Sequence, residues 1–318
     1  MASQFISENS IDDVLRAVYR GLKEHGRPIF PGKGEAIELV GALIELRDPA
    51  CRISLTESRG KLFSGMGELC WYLSGSDDSE FISYYVKEYH AAGVHGPVPG
   101  AYGPRLFSWN GRDQVAQAVE MLRTKRDSRR IVIQLFEADD LRSGAAEVPC
   151  TCFLQFFLRD NRLSLLSMMR SNDVHRGLPH DVFCFTMLQE LVARQIGVDM
   201  GTYIHSVGSL HFYREDTLEL DKYLLEGFQE PACMPPMPTQ EPLQNVKEVL
   251  RIESQLRMGN GATEIDVGGL PPYWADLARL LIAFRMYKNG DRNGMVKVAQ
   301  AFHWPLYQPY VLGKAATL

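Results

Sequence analysis

Val148-Pro149-Cys150-Thr151-Cys152, then Arg170-Ser171-Asn172-Asp173, then Gly177-Leu178-Pro179-His180-Asp181 bring a cysteine, a cation and a carboxylate into close succession. A thiolate at Cys150 is a good nucleophile when a cation lowers its pKa, and Arg170 is the nearby candidate. The three together suit attack on a small, polar, anionic substrate. Each residue also has an ordinary reading. Cys150 can be one more buried cysteine, facing the same way as Cys152 two residues on. Asp181, just ahead of an apolar helical run, can be its N-cap.

The flanking segments alternate between strand and helix patterns. Phe153 to Leu158 and Leu163 to Met168 read as apolar strands joined by Arg159-Asp160-Asn161-Arg162, with hairpin chemistry at Asp160-Asn161. Val182 to Ile196 reads as a long apolar helix and Tyr203 to Tyr213 as a further strand. Upstream, Ser10 caps a predicted helix that ends near Gly26. Arg27 to Glu35 reads as a loop, and Ile37 to Leu46 as a strand interrupted by Gly41. An amphipathic helix is predicted from Lys61 to Leu73, stopped by Gly75. Gly93 to Gly103 reads as a Gly/Pro-rich loop, Val115 to Leu122 as a helix, and Asp127-Ser128-Arg129-Arg130 as a polar turn before a buried strand, Ile131 to Phe136. After a proline-rich loop from Pro231, Leu243 to Arg257 and Tyr273 to Tyr287 read as helices. Strands and helices intermixed around one sheet predict a single α/β or α+β domain over residues 1–318, with helices added in the C-terminal portion, 231–318.

Of the 318 residues, 45% are hydrophobic and 23% charged, as in an ordinary globular protein. A net charge of −5 argues against bulk nucleic-acid binding, though not against a local phosphate pocket. No run approaches the ~18 apolar residues of a membrane span. Met1-Ala2-Ser3-Gln4-Phe5 carries no basic n-region, so no signal peptide is expected. The six cysteines, Cys51, Cys70, Cys150, Cys152, Cys184 and Cys233, show no paired framework and read as reduced thiols of a cytoplasmic protein. Cys150-Thr151-Cys152 is a CxC without a second pair at zinc spacing, so no metal is expected. There is no GxxxxGK[ST] phosphate loop, and Gly65-Met66-Gly67 is too weak to suggest a dinucleotide site.

Further candidates follow from residue chemistry. Arg129 and Arg130 offer paired guanidinium forks for a phosphate, or else a solvated turn. Arg170-Ser171 repeats the phosphate-friendly pattern. Glu68 sits in an otherwise apolar helix, either at its solvated edge or buried as a proton carrier with a raised pKa. His211 and Tyr213 alternate with Leu210 and Phe212, which puts both polar tips on one side of a strand, to grip a sugar hydroxyl or to be satisfied within the core.

Taken together, these segments resemble the thymidylate synthase family. Glu68-Leu69-Cys70-Trp71-Tyr72-Leu73 looks like its glutamate-bearing helix, and Tyr102-Gly103 like its tyrosine-glycine loop. Asp127-Ser128-Arg129-Arg130 resembles its double-arginine turn, Pro149-Cys150 its nucleophile, and Arg170-Ser171-Asn172-Asp173 with Gly177-Leu178-Pro179 its signature. Gly208-Ser209-Leu210-His211-Phe212-Tyr213 resembles its sugar-binding strand. The likeness runs from about Leu62 to Tyr213. It implies a thymidylate synthase-like fold, a large mixed sheet flanked by helices, with a family core over residues 1–230.

The resemblance implies catalytic roles for Cys150, Glu68, Asp181 and Tyr102, and 5,10-methylenetetrahydrofolate as co-substrate. It implies nucleotide contacts from Arg129, Arg130, Arg170, Ser171, Asp181, His211 and Tyr213, with Arg27 as a further phosphate ligand. Asp173 and Gly177 match folate-side positions, and the tail ending at Leu318 either closes over the folate or frays. A homodimer is implied, with Arg129 and Arg130 reaching the partner's active site.

Two departures sharpen the expectation. The family's synthases carry histidine after the nucleophile, where this chain has Thr151. They carry Phe-Asn after Gly-x-Pro, where this chain has His180-Asp181. An amide satisfies the uracil edge, whereas a carboxylate accepts from a cytosine amino group and shares its proton with N3. Asp181 thus looks like the cytosine reader of the cytidylate hydroxymethylases, the phage deoxycytidylate enzymes and the CMP enzymes of nucleoside-antibiotic pathways such as mildiomycin. Tyr84-Tyr85-Val86-Lys87-Glu88-Tyr89-His90 also lacks the tryptophan found there in the synthases, which favours water over hydride as second nucleophile. The expected reaction is 5-hydroxymethylation of CMP or dCMP. The alternatives are 5-methylation of dCMP or dUMP with hydride transfer, and a non-catalytic nucleotide-binding homodimer.

Overall fold

The computed structural model describes residues 5–56, 60–87, 89, 96–142, 148–259 and 266–318. Residues 93–95 of the expected Gly/Pro loop and residues 88 and 90 of the tyrosine-rich segment lie outside the described residues.

A single mixed sheet organises the chain. Its strands are β1 (Phe5–Glu8), β2 (Arg27–Ile29), β3 (Ala36–Leu46), β4 (Val132–Gln134), β5 (Thr151–Arg159), β6 (Arg162–Asp173) and β7 (Asp199–Tyr213). The order is β1-β3-β7-β6-β5-β4, with β2 also paired to β3. The β1/β3 and β6/β7 pairs are parallel and the others antiparallel. At the β5–β6 hairpin Asp160 (φ 48°) and Asn161 (φ 56°) are both left-handed, the geometry of a two-residue turn whose twist matches the strands.

The expected loop over Arg27 to Glu35 begins as strand β2, because Arg27, Pro28 and Ile29 pair with Glu38, Ile37 and Ala36 across the loop of residues 30–35. The expected buried strand Ile131 to Phe136 shrinks to the three-residue edge strand β4. Ile133 packs inward there while Val132 and Gln134 face outward.

Helix α1 (Ile11–His25) starts where Ser10 Oγ accepts from the Asp13 amide, with Asp12 and Asp13 in its first turn. Helix α2 (Leu62–Leu73) ends at Ser74, with Gly75 left-handed (φ 69°) beyond it. Short helices α3 (Ser79–Tyr85) and α4 (Tyr102–Phe107) follow, then α5 (Gln114–Thr124). Helix α6 spans Leu178–Gln195, and every residue from Leu178 to Ala193 is buried. A helix buried all round must be covered on both sides, and α6 is packed between β6 and β7 below and α2 above. It begins four residues earlier than its apolar periodicity suggests, so Asp181 lies inside its first turn and is not its N-cap.

After β7 come α7 (Thr217–Leu225), α8 (Pro242–Arg257), α9 (Pro272–Lys288), α10 (Arg292–Gln300) and α11 (Gln308–Ala316). Helices α8 and α9 pack against α2. One cysteine expectation fails. Cys51 and Cys233 form a disulfide. The loop after β3 and the proline-rich segment run side by side, tied by the Ile53–Ala232 bridge and the Met234 N–H to Ala50 O bond. The two cysteines are 182 residues apart, so spacing gives no hint of the pairing. Cys70, Cys150, Cys152 and Cys184 are free.

No described helix is long and apolar enough to cross a membrane.

Candidate active site

A cleft of about 1250 Å³ opens where the ends of β5, β6 and β7 meet the start of α6, under α2 and α4. Cys150, Glu68, Tyr102, Asp181, Arg170 and Ser171 all line it. So do Asp173, Gly177, His211, Tyr213 and Leu318. Residues up to 250 positions apart in the chain thus converge on one space.

Cys150 lies just before β5 and is half-buried. Arg170 stands beside it on β6. Its Nε and Nη2 donate to the carbonyls of Pro149 (2.9 Å) and Val148 (2.8 Å), and Nη2 lies 3.7 Å from Cys150 Sγ. Two of its donors therefore brace the cysteine-bearing turn, and its positive charge sits against the sulfur. Tyr102, at the first position of α4, has a hydroxyl that accepts from both the Thr151 amide and Thr151 Oγ1, each at 2.9 Å. With both lone pairs engaged, the phenolic proton is free to donate into the cleft. Thr151, which stands where the synthases have histidine, holds that tyrosine in place.

Glu68 projects from α2 with its side chain 12% exposed. Burial raises its pKa to about 7, against the opposing effects of a 2.6 Å bond from Tyr72 and the charge of Lys61. Tyr72 is one helical turn on from Glu68, so the bond follows from i,i+4 spacing. His180 Nδ1 is 3.8 Å from Glu68 Oε2 and 3.0 Å from the Arg176 carbonyl. A carbonyl only accepts, so Nδ1 carries the proton, and Nε2 faces Ser64 Oγ at 2.8 Å. Asp181 is buried in the cleft wall, with 7% exposure. Burial first, then the charge of Glu68, pushes its carboxyl well above the usual range, while a 2.7 Å bond from Asn172 Nδ2 opposes the shift. The shift favours the protonated acid, which can donate as well as accept.

His211 and Tyr213 do share one side of β7, their rings edge to face at 5.4 Å. Asp173 Oδ1 accepts from the amides of His175 (2.8 Å) and Arg176 (3.0 Å) and shapes the turn into α6. Gly177 closes that turn. A Cβ there would fall 3.0 Å from Asn172 Nδ2 and 3.3 Å from Asp181 Oδ2 and would crowd the pair.

Three expected phosphate ligands are not gathered here. Arg129 and Arg130 are exposed on the turn before β4, and Arg27 is exposed on β2 rather than in a loop. None lines this cleft, although Lys33, six residues beyond Arg27, does.

The sequence model of the family described as "Thymidylate synthase" matches residues 46–253, from the end of β3 into α8. This chain belongs to the thymidylate synthase family. A thymidylate synthase of Mycoplasma mobile is 28% identical to it over 193 residues, which cover 61% of this chain and 62% of the relative's length. The mixed sheet flanked by helices agrees with the thymidylate synthase fold.

Sequence reading missed several cleft residues of this thymidylate synthase family member. His180 and Thr151 were noticed only as departures, and Tyr72 only as part of a motif. The helices after the matched region were given no role, yet Phe284 and Lys288 of α9 and Tyr310 and Lys314 of α11 form a wall of the cleft. Their signal is faint, because an aromatic or lysine on an amphipathic helix looks the same whether it faces solvent or a ligand.

Proposed function

We propose that the protein is a folate-dependent hydroxymethylase of a cytosine nucleotide, CMP or dCMP. The reading is carried by Asp181, a buried carboxyl with a raised pKa in the same cleft as Cys150 and Glu68. An acid can present C=O to a 4-amino group and O–H to N3, which is the cytosine edge. An amide presents the complement, which is the uracil edge.

The cleft exceeds the ~300–1000 Å³ of a typical small-ligand pocket, leaving room for a nucleotide and a second ligand. Tyr84, Tyr85, Phe284 and Tyr310 would offer flat faces to a pterin, and Lys288 and Lys314 would meet carboxylates of a glutamyl tail. Methylenetetrahydrofolate would supply the one-carbon unit.

Cys150 Sγ adds to C6, and the C5=C6 electron pair moves toward C4 and N3. Asp181 donates to N3 as that charge builds, so C5 becomes nucleophilic and takes the one-carbon unit. The C5 proton would leave to water on the Tyr102 side of the cleft, and the bond between the one-carbon unit and the folate nitrogen would break, releasing tetrahydrofolate and leaving a 5-methylene pyrimidine still bound to Cys150. Glu68, titrating near neutrality, accepts a proton from water as its oxygen bonds to the methylene carbon. The electrons return to the ring, the C6–S bond breaks, and the 5-hydroxymethyl nucleotide leaves with no net oxidation or reduction. Arg170 and Ser171 would hold the 5′-phosphate, His211 and Tyr213 the 3′ side of the sugar, and Asp173, Gly177 and Leu318 would border the folate.

A homodimer completes the reading. The sheet face turned away from α6 carries half-buried Leu166, Met168, Ile204 and Phe157. Arg129 and Arg130, exposed and outside their own cleft, would serve the partner's phosphate.

Incubation with CMP, dCMP, UMP or dUMP plus methylenetetrahydrofolate, followed by product mass, tests the proposal. The expected product is a 5-hydroxymethylcytosine nucleotide with tetrahydrofolate. A 5-methyl product with dihydrofolate replaces it with the synthase-type reaction. Release of tritium from C5 of labelled CMP separates both from a silent binding module: wild type exchanges, and Cys150→Ser falls by about a thousandfold. No exchange in wild type, with unchanged CMP binding by Cys150→Ser, would make the protein a binding module.

A further inference from the structure

Beneath Asp181 lies a buried polar chain that cleft chemistry does not require. Asn172 Nδ2 donates to Asp181 Oδ2 at 2.7 Å, and Asn172 Oδ1 lies 3.0 Å from His205 Nε2. His205 Nδ1 in turn lies 2.7 Å from the Tyr203 hydroxyl and 2.9 Å from Ser167 Oγ, which are themselves 2.8 Å apart. His205 and Ser167 are fully buried, and Tyr203 and Asn172 nearly so.

Hydrogen-bond chemistry gives this chain a direction. An amide oxygen only accepts, so His205 Nε2 carries its proton. Burial lowers the pKa of His205 to about 3, so the ring is neutral and Nδ1 has a lone pair. That lone pair accepts from Tyr203 or Ser167, the two hydroxyls opposite it. Protons therefore point from the β6–β7 core, through His205 and Asn172, toward Asp181. The reverse amide orientation would need Asp181 to donate from Oδ2 and His205 to carry its proton on Nδ1, so the Asn172 amide and the His205 tautomer are coupled to where the Asp181 proton sits.

We propose that Asn172 and His205 are positioning residues for base selection, a directional relay that locks Asp181 Oδ2 as an acceptor and leaves Oδ1 for the nucleotide base. The proposal rests on Asp181 being the base reader. It also explains two backbone features. Burial along β6 alternates from Leu163 to Met169 and then changes phase, which turns Asn172 inward. The change adjoins Gly208 of β7, where a Cβ would fall 2.8 Å from the Arg170 carbonyl. Gly177 then leaves space above the Asn172–Asp181 bond.

The test compares wild type, Asn172→Ala, His205→Phe and His205→Gln. Calorimetry gives affinities for CMP and UMP, and infrared difference spectroscopy gives the pH midpoint of the Asp181 carboxyl, assigned by its loss in Asp181→Asn. Groups facing that carboxyl stay unchanged in all four proteins: Glu68 and Tyr72 from α2, Tyr102 from α4, Cys184 from α6, and Tyr203 from β7. Asn172→Ala and His205→Phe should each cut the CMP-over-UMP preference about tenfold and move the Asp181 midpoint upward. His205→Gln, which can still donate to Asn172, should stay close to wild type. If His205→Phe does not fold, Asn172→Ala and His205→Gln carry the same comparison. An Asp181 midpoint and a base preference both unchanged in Asn172→Ala would overturn the relay. Wild type that binds UMP better than CMP would instead sink the cytosine reading, and the midpoint shifts would still judge the relay by themselves.

Discussion

At the residue scale, the cleft depends on two carboxyls kept from water. Asp181→Asn places an amide that can donate from its NH₂ to O4 and accept from N3–H, the uracil edge, with Asn172 turning its own amide to accept. The variant should therefore favour UMP or dUMP over CMP by about tenfold or more relative to wild type, measured as a ratio of kcat/KM or Kd. Unchanged cytosine preference would remove Asp181 from base reading. Glu68 makes a prediction about stability. Its folded pKa of about 7 exceeds the ordinary glutamate value of 4.5, so the folded state holds the proton more tightly and stability falls as pH rises through that window. Glu68→Gln mimics the neutral form. It should melt near wild type below pH 4.5 and gain on the order of 3 kcal/mol over it above pH 7, by denaturant titration at both pH values. The same variant should lose turnover, since an amide takes no proton from water.

At the element scale, the start of α6 controls the cleft. The helix is buried on every side, so it holds Asp181 and His180 on a rigid mount between sheet and α2. Gly177 is its tightest point. Gly177→Ala should weaken nucleotide binding about tenfold while costing about 1–3 kcal/mol of stability, read by calorimetry and thermal melting. Equal losses in every ligand, with no change in base preference, would mean that the glycine serves the turn alone. The hairpin, the Ser10 cap and the long strands were legible in sequence because their signals are local: two left-handed residues, one hydroxyl, an alternation. The extent of α6 was not, because His180 and Asp181 look polar enough to precede a helix until tertiary packing encloses them.

At the scale of the whole molecule, the open sheet face and the double arginine predict an active site shared between subunits. Mixing inactive Cys150→Ser with an inactive Arg129→Glu/Arg130→Glu double variant should restore about a quarter of wild-type activity after subunit exchange, because half the dimers then contain one complete site. Recovery absent despite exchange, shown by tagged-subunit capture, would place the phosphate ligands within one protomer. The helices from α8 onward enter the same picture. Although they follow the proline-rich loop, α9 and α11 return to wall the cleft, and the Cys51–Cys233 disulfide ties that loop to the end of β3.

The amino-acid order by itself determined the family and singled out the proposed nucleophile and base reader, since these lie in compact motifs whose spacing survives without coordinates. Only the tertiary structure decided that burial raises the Asp181 pKa, that His205 and Asn172 lie beneath it, that Cys51 meets Cys233, and that Arg27 stands on an edge strand. Those facts depend on burial and on contacts between distant segments. Desolvation and hydrogen-bond direction exist only once the chain has closed around a group, and no local pattern encodes them.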